Sequence, residues 1–150
     1  MNFRTATKHD VPAIVDMLSH DKLGKLREHL PGPVPAAYFE AFDKIAQDPN
    51  QELMVIEDDA KSIVGTFQIT FIPYLTYQGG MRAQLEAVRV RDDVRGRGLG
   101  TQVVAWAIKR AKARNAHLLQ LTTDKRRPEA IRFYEKMGFI ASHEGMKLHF

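Results

Sequence analysis

The sequence contains no cysteine. It therefore forms no disulfide, offers no thiolate to a metal and has no cysteine nucleophile. No apolar run reaches the ~18 residues needed to span a bilayer. The opening, MNFRTATKHD, lacks the apolar core of a signal peptide. Together these absences make a cytoplasmic location, with no membrane partner, the expectation. The six histidines fall in no metal-ligand spacing such as His-x-x-x-His, so no bound metal is expected. The Gly-x-Ser-x-Gly elbow of serine hydrolases is missing. There is no internal repeat or low-complexity segment. The one tryptophan, Trp106, sits at helical spacing among apolar residues and reads as core.

What is present is an ordinary globular composition: 150 residues, 44% hydrophobic and 27% charged. That length can bury a core and suggests a single domain over residues 1–150. A net charge of +4 raises the possibility of nucleic acid. The basic residues, however, gather at Arg89, Arg91, Arg95 and Arg97 and at Lys125-Arg126-Arg127. A polyanionic cofactor accounts for such local excess equally well, and no nucleic-acid partner is expected.

The most informative stretch is Leu85 to Ile108, LEAVRVRDDVRGRGLGTQVVAWAI. Val88 and Val90 alternate with Arg89 and Arg91, which predicts a strand over Leu85–Arg91. Leu99, Val103, Val104, Ala107, Ile108 and Ala111 then recur at helical spacing. Between them lies Arg95-Gly96-Arg97-Gly98-Leu99-Gly100. Glycines let a backbone approach a ligand closely and turn successive N–H groups one way. Added to the unpaired N–H groups and positive dipole of a helix start, they form an anion site suited to phosphate. The spacing excludes a P-loop, because Thr101 and Gln102 follow the third glycine, and a dinucleotide fingerprint, because that glycine comes one residue early.

The remaining elements can be taken in order. Phe3–Ala6 reads as a strand and Thr7-x-x-Asp10 as a capping box, with Asp10 itself the alternative N-cap ahead of Pro12. Val11, Ile14, Val15 and Leu18 form a helical stripe. Pro31, Pro33 and Pro35 stiffen a loop at 30–34, and Ala37–Ala46 reads as a second helix. Glu52–Glu57 and Ser62–Ile72 read as antiparallel strands around Asp58–Lys61, with a loop from Pro73 to Gly80. His117–Thr122 reads as a buried strand and Pro128–Met137 as a helix closed by Gly138. Phe139–Ala141 and Met146–Phe150 read as final strands. The sum is an α/β (α+β) fold with a mixed, mostly antiparallel sheet.

Two motifs carry a family resemblance. Arg95-x-x-Gly98-x-Gly100 resembles the coenzyme A pyrophosphate loop of the GNAT acetyltransferase superfamily. Ala130-Ile-Arg-Phe-Tyr-Glu-Lys-Met-Gly-Phe139 resembles the signature that follows that family's fifth strand. The opening Arg4-x-Ala6-x-x-x-Asp10 and the strand Ile63-Val64-Gly65 are similar to its first and third elements. The resemblance implies a central sheet flanked by helices and splayed between the fourth and fifth strands. It implies acetyl-CoA as cosubstrate, the pantetheine arm pairing with Ala87, Val88, Arg89 and Val90. The pyrophosphate would rest on Arg95, Gly96, Arg97, Gly98, Leu99 and Gly100, with Thr101 following in the first helical turn. Many relatives carry Asn where this chain has Arg127. Arg127 either reaches the cofactor phosphates with Lys125 and Arg126 or is a solvated charge at a helix entrance.

The implied activity is N-acetylation of the primary amine of a small acceptor; a protein or peptide acceptor, or a non-catalytic coenzyme A module, are the alternatives. A homodimer is left open. The amine must lose its proton, having a pKa near 10.4 if Lys-like or about 8 if an α-amino group. Glu86, among apolar neighbours on the central strand, is the candidate base, on the expectation that burial raises its pKa. Tyr134 is the candidate acid, since family members place this tyrosine beside the coenzyme A sulfur. His143 is a candidate acceptor contact, and His117 reads as structural.

Overall fold

The computed structural model describes residues 1–20, 28 and 32–150. Its elements, in order, are β1 (Asn2–Thr5), a 3-10 turn (Lys8–Asp10), α1 (Val11–Ser19), α2 (Ala36–Gln47), β2 (Gln51–Glu57) and β3 (Ile63–Pro73). There follow a single helical turn α3 (Thr76–Gly79), β4 (Met81–Val90), a 3-10 turn (Asp92–Val94), α4 (Leu99–Ala113), β5 (Leu118–Gln120) and α5 (Pro128–Lys136). The strands lie in sequence order, antiparallel from β1 to β4, with β5 parallel to β4 at the edge.

Both readings of the first helix start hold, one after the other. Thr7 N and Oγ1 donate to Asp10 Oδ2 at 2.6 and 2.9 Å and cap the 3-10 turn, and Asp10 then stands as N-cap of α1 ahead of Pro12. Arg4 donates to both Asp10 oxygens, at 2.7 and 2.9 Å, and to Glu57 Oε1 at 2.7 Å, tying β1 to β2 and to the helix entrance. The Arg4 guanidinium holds the Asp10 carboxyl down at about 2.

Two apolar clusters sandwich the sheet. On one face Leu99, Val103, Val104, Ala107 and Ala111 of α4 pack on Met54, Ile56, Phe67, Ile69, Phe71, Ala83 and Leu85. Trp106 joins them, edge-on to Phe67 at 5.2 Å and stacked with Phe3 at 6.2 Å. On the other face Val11, Ile14 and Val15 of α1 and Phe42 of α2 cover Ala6 and Val55. At ~25 cal/mol per Å² such burial is the main stabilising term of a domain this size.

The sequence reading needs four corrections here. The central strand begins at Met81, four residues earlier than expected, because Arg82 and Gln84 belong to its polar face and not to a loop. The strand expected over His117–Thr122 is only Leu118–Gln120, and half-buried, because it forms the sheet edge with a neighbour on one side alone. No strand forms over Phe139–Ala141 or Met146–Phe150. Ser142 N donates to Ile140 O at 2.9 Å, a tight turn that ends any extension there. Met146, Leu148 and Phe150 alternate as a strand would, yet stand exposed; a period-two pattern does not by itself bring a segment onto the sheet. The loop expected at 30–34 falls partly outside the described residues.

Candidate active site

The site starts from a defect in β4. Thr66 pairs with Arg89 and Gln68 with Glu86, so Phe67 alone opposes both Ala87 and Val88. This is a β-bulge, and Ala87 takes the left-handed conformation at φ 51°. For a residue with a Cβ that conformation costs about 1–2 kcal/mol, and such strain collects at functional sites. Beside the bulge the sheet opens. β5 pairs with β4 only from Arg82/Leu118 to Gln84/Gln120, while β4 runs on to Val90 paired with β3 alone. Gln120 Nε2 donates to Gln84 Oε1 at 2.7 Å on the last rung before the gap.

Beyond the open end of β4 comes the glycine turn. Val94 and Leu99 are buried in the core under α4 and pin its two ends, while residues 95–98 are exposed. Gly96 and Gly98 both stand at φ +77°, and a Cβ built on either meets nothing within 4 Å. The turn is thus left-handed twice, with open space above it. Gly98 is the N-cap of α4 and no side chain caps that end, so the first-turn N–H groups of Leu99, Gly100 and Thr101 face the open space. Arg95 is tethered, its Nη1 2.9 Å from Asp92 Oδ1 and its Nε donating to Val90 O at 3.2 Å. Arg97 is exposed. These features fit a phosphate-bearing ligand: bare backbone donors, a helix dipole and flanking guanidinium groups.

α5 meets the same place. A Cβ on Gly100 would stand 3.4 Å from Phe133 Cζ, so Phe133 lies against the start of α4. Tyr134 is half-buried and edge-on to Phe133 at 5.1 Å and to Phe139 at 5.6 Å. Burial pushes its phenol pKa up, and the nearby guanidinium groups of Arg89 and Arg127 pull against that rise. Tyr134 therefore keeps its proton at neutral pH, between one cation from β4 and another at the N-cap of α5.

The other expected residues separate. Glu86 is exposed and not buried among apolar neighbours; it points to the opposite face from Leu85, which the alternation of a strand requires. The basic triplet splits. Arg126 is bound to Asp124 at 2.8 Å and Lys125 to Glu144 at 3.0 Å, and Arg127 alone lies beside Tyr134. His143 is exposed against Ser142 Oγ at 2.8 Å. His117 is exposed, stacked with Tyr74 at 5.6 Å and tilted against Tyr77 at 4.5 Å.

Sequence reading missed the bulge at Ala87, for which an alanine gives no signal. It also missed the polar row of Arg82, Gln84, Glu86 and Arg89, which the alternation with Met81, Ala83 and Leu85 does announce.

Residues 15–139 match the Acetyltransferase (GNAT) family. The chain belongs to that family. Among solved structures, a transcriptional regulator from Bacillus halodurans C-125 is 53% identical, with 99% of each chain covered and a TM-score of 0.95. An aminoalkylphosphonate N-acetyltransferase from Salmonella typhimurium is 26% identical over 107 residues, 71% of this chain and 68% of that protein. A glucosamine 6-phosphate N-acetyltransferase of Oryza sativa subsp. japonica is 26% identical over 137 residues, 89% of this chain and 81% of its own length. The GNAT chain described here is accordingly an acyltransferase with the family's splayed sheet.

Proposed function

We propose that this GNAT domain transfers the acetyl group of acetyl-CoA to the primary amine of a small molecule, both substrates being bound together. One observation carries the reading: the edge of β4 left unpaired by β5 beyond Gln84 leads to the uncapped N-terminus of α4, against which Phe133, the neighbour of Tyr134, packs. Acetyl-CoA supplies the activated carbonyl, its pyrophosphate on residues 95–101 and its arm along Ala87–Val90. The neutral amine nitrogen attacks that carbonyl carbon. The N–C bond forms, the C–S bond breaks, and the amide product and free coenzyme A leave. Glu86, facing solvent, receives the acceptor's proton directly or through water. Tyr134 gives its proton to the departing sulfur; its raised pKa keeps that proton in place until a thiolate arrives. Relatives named for an aminoalkylphosphonate and for glucosamine 6-phosphate support a small acceptor.

A second reading, a coenzyme A-responsive regulator without turnover, has in its favour the relative described as a transcriptional regulator. Thiol release measured over amino sugars, polyamines, amino acids and peptides decides between them. Turnover with an acetylated product upholds the enzyme; acetyl-CoA binding with no turnover on any amine upholds the regulator.

A further inference from the structure

The two faces of the sheet are not alike beside the opening. On the face turned toward α4, β3 and β4 present Phe67, Ile69, Phe71, Ala83 and Leu85, all buried. The register fixes what stands on the other face. Thr66, Gln68 and Thr70 of β3 lie beside Arg89, Glu86 and Gln84 of β4, and Gln84 lies beside Gln120 of β5. The apolar cluster beneath α1 and α2 reaches Val55 and Leu53 of β2. From Gln68 to Gln120 the floor is amide and charge. A polar row on a sheet face adds less to fold stability than an apolar one, because polar groups partly withdrawn from water cost free energy that their hydrogen bonds only offset.

The order of the charges is informative. Glu86 and Arg89 stand on the same face on either side of the bulge, opposite Gln68 and Thr66, whose two-residue step spans about 7 Å. Glu86 is exposed and free to meet a cation. Arg89 is half-buried and anchored by Nη1 donating to Val88 O at 2.8 Å, which fixes the direction of its fork. The amides of Gln84 and Gln120 use one donor and one acceptor on each other, leaving the Gln84 NH2 and the Gln120 carbonyl for a polar ligand.

Resting on the acetyl-transfer reading, we propose that the acceptor is an amine that also carries an oxyanion on a short spacer. Arg89 takes the oxyanion, Glu86 the ammonium, and Gln84 and Gln120 the neutral polar groups. A guanidinium matches the two oxygens of a carboxylate, phosphate or phosphonate, and a site built for such a group discriminates strongly against analogues lacking it. Arg89 thus acts through its side chain as a specificity residue, apart from its backbone's part in holding the cosubstrate.

The test uses matched acceptors with the 150-residue chain: aminoethylphosphonate against ethylamine, an α-amino acid against its amide, glucosamine 6-phosphate against glucosamine. The anionic member of at least one pair is expected to have a kcat/KM ~10- to 100-fold higher, the range of a charge-assisted hydrogen-bonded pair. Which pair shows it distinguishes phosphonate, carboxylate and sugar phosphate. Arg89→Gln should abolish the preference, with the larger fall on the anionic member of the pair. Arg89→Lys, which keeps the charge and loses the fork, should retain part of it. Equal use of both members in every pair, or a preference that survives Arg89→Gln, overturns the proposal. Calorimetry on the coenzyme A complex reads the same contrast without turnover. If no amine is acetylated, the transfer reading falls, and tighter binding of the anionic member, lost in Arg89→Gln, still upholds the anion site; equal binding overturns it.

Discussion

Strand β4 shows its neighbours two different surfaces. Ala83 and Leu85 are buried against α4, with Val88 and Val90 packed beside them; Arg82, Gln84, Glu86 and Arg89 stand on the reverse. The first surface holds the fold together. The second contributes little to stability and carries the groups able to recognise a polar ligand. The bulge at Ala87 lets one strand serve both purposes, since it keeps Val88 and Val90 on the apolar side while the ladder opens. If this division of labour is right, substitutions on the two faces should differ in kind: stability on one, catalysis and selectivity on the other.

The largest effect should come from the apolar face. Leu85 is 2% exposed, so Leu85→Ala should lower the unfolding free energy by about 2–5 kcal/mol through lost transfer energy and a cavity. Gln84→Ala, one residue away, removes a single hydrogen bond and should cost about 1 kcal/mol. Urea unfolding of both variants checks the contrast, and equal losses would erase it.

Tyr134→Phe keeps the ring contacts with Phe133 and Phe139 and removes only the proton donor. Turnover should fall ~10²-fold or more, with acetyl-CoA affinity and stability nearly unchanged. Should turnover persist at the normal rate, the thiolate leaves unaided or takes its proton elsewhere.

Not every polar cluster near the sheet belongs to the recognition surface. The Arg4–Asp10–Glu57 group lies at the α1 entrance and is structural. Asp10 titrates at about 2 in the fold against ~3.9 in an unfolded chain. A lowered carboxyl pKa stabilises above the unfolded value and is lost as pH falls through the folded one. Asp10 should thus contribute about 2 kcal/mol above pH ~5, fading toward pH ~2. Asp10→Asn should lose that amount at neutral pH and flatten the acid limb of the stability profile, with catalysis unaltered.

Gly98→Val combines backbone strain at φ +77°, about 1–2 kcal/mol, with a side chain placed in the open space above the turn. The thermal shift produced by acetyl-CoA should disappear. If coenzyme A affinity stays unchanged, phosphate does not rest there.

Much of this was legible in the sequence because local chemistry spoke plainly. Three glycines between a valine-rich strand and an amphipathic helix wrote the turn, and the alternation from Met81 to Glu86 wrote both faces of β4. What stayed hidden depends on partners far along the chain. Where β5 stops pairing is a matter of register, and no residue of Leu118–Gln120 announces it. Ala87 gives no hint of its left-handed backbone, which the mismatch with Phe67 imposes. The proximity of Arg89 and Arg127 to Tyr134 joins three elements and has no linear signature. The expected burial of Glu86 failed for a simpler reason: apolar sequence neighbours in a strand lie on the other face.

The smallest effect, and the sharpest probe of the polar face, is Glu86→Gln. The substitution keeps shape and hydrogen bonding but removes the charge. Glu86 is exposed, so its removal should leave stability within ~0.5 kcal/mol, as for most surface positions. If it receives the acceptor's proton, kcat/KM should drop roughly tenfold near neutral pH, less than the usual 10²–10⁴-fold of general base catalysis because water can substitute. The deficit should shrink as pH approaches the acceptor's own pKa, about 8 for an α-amino group or 10.4 for a Lys-like amine, because the amine then arrives already neutral. A residue that merely steers the ammonium would give a deficit that also shrinks with pH, since its contribution is confined to the protonated acceptor, but the deficit would show as a raised KM with kcat preserved. Measuring kcat and KM separately across pH 6–10 therefore separates proton transfer from recognition. A deficit that is constant with pH in both parameters would remove Glu86 from either role and leave Arg89 as the charge by which this face selects its substrate.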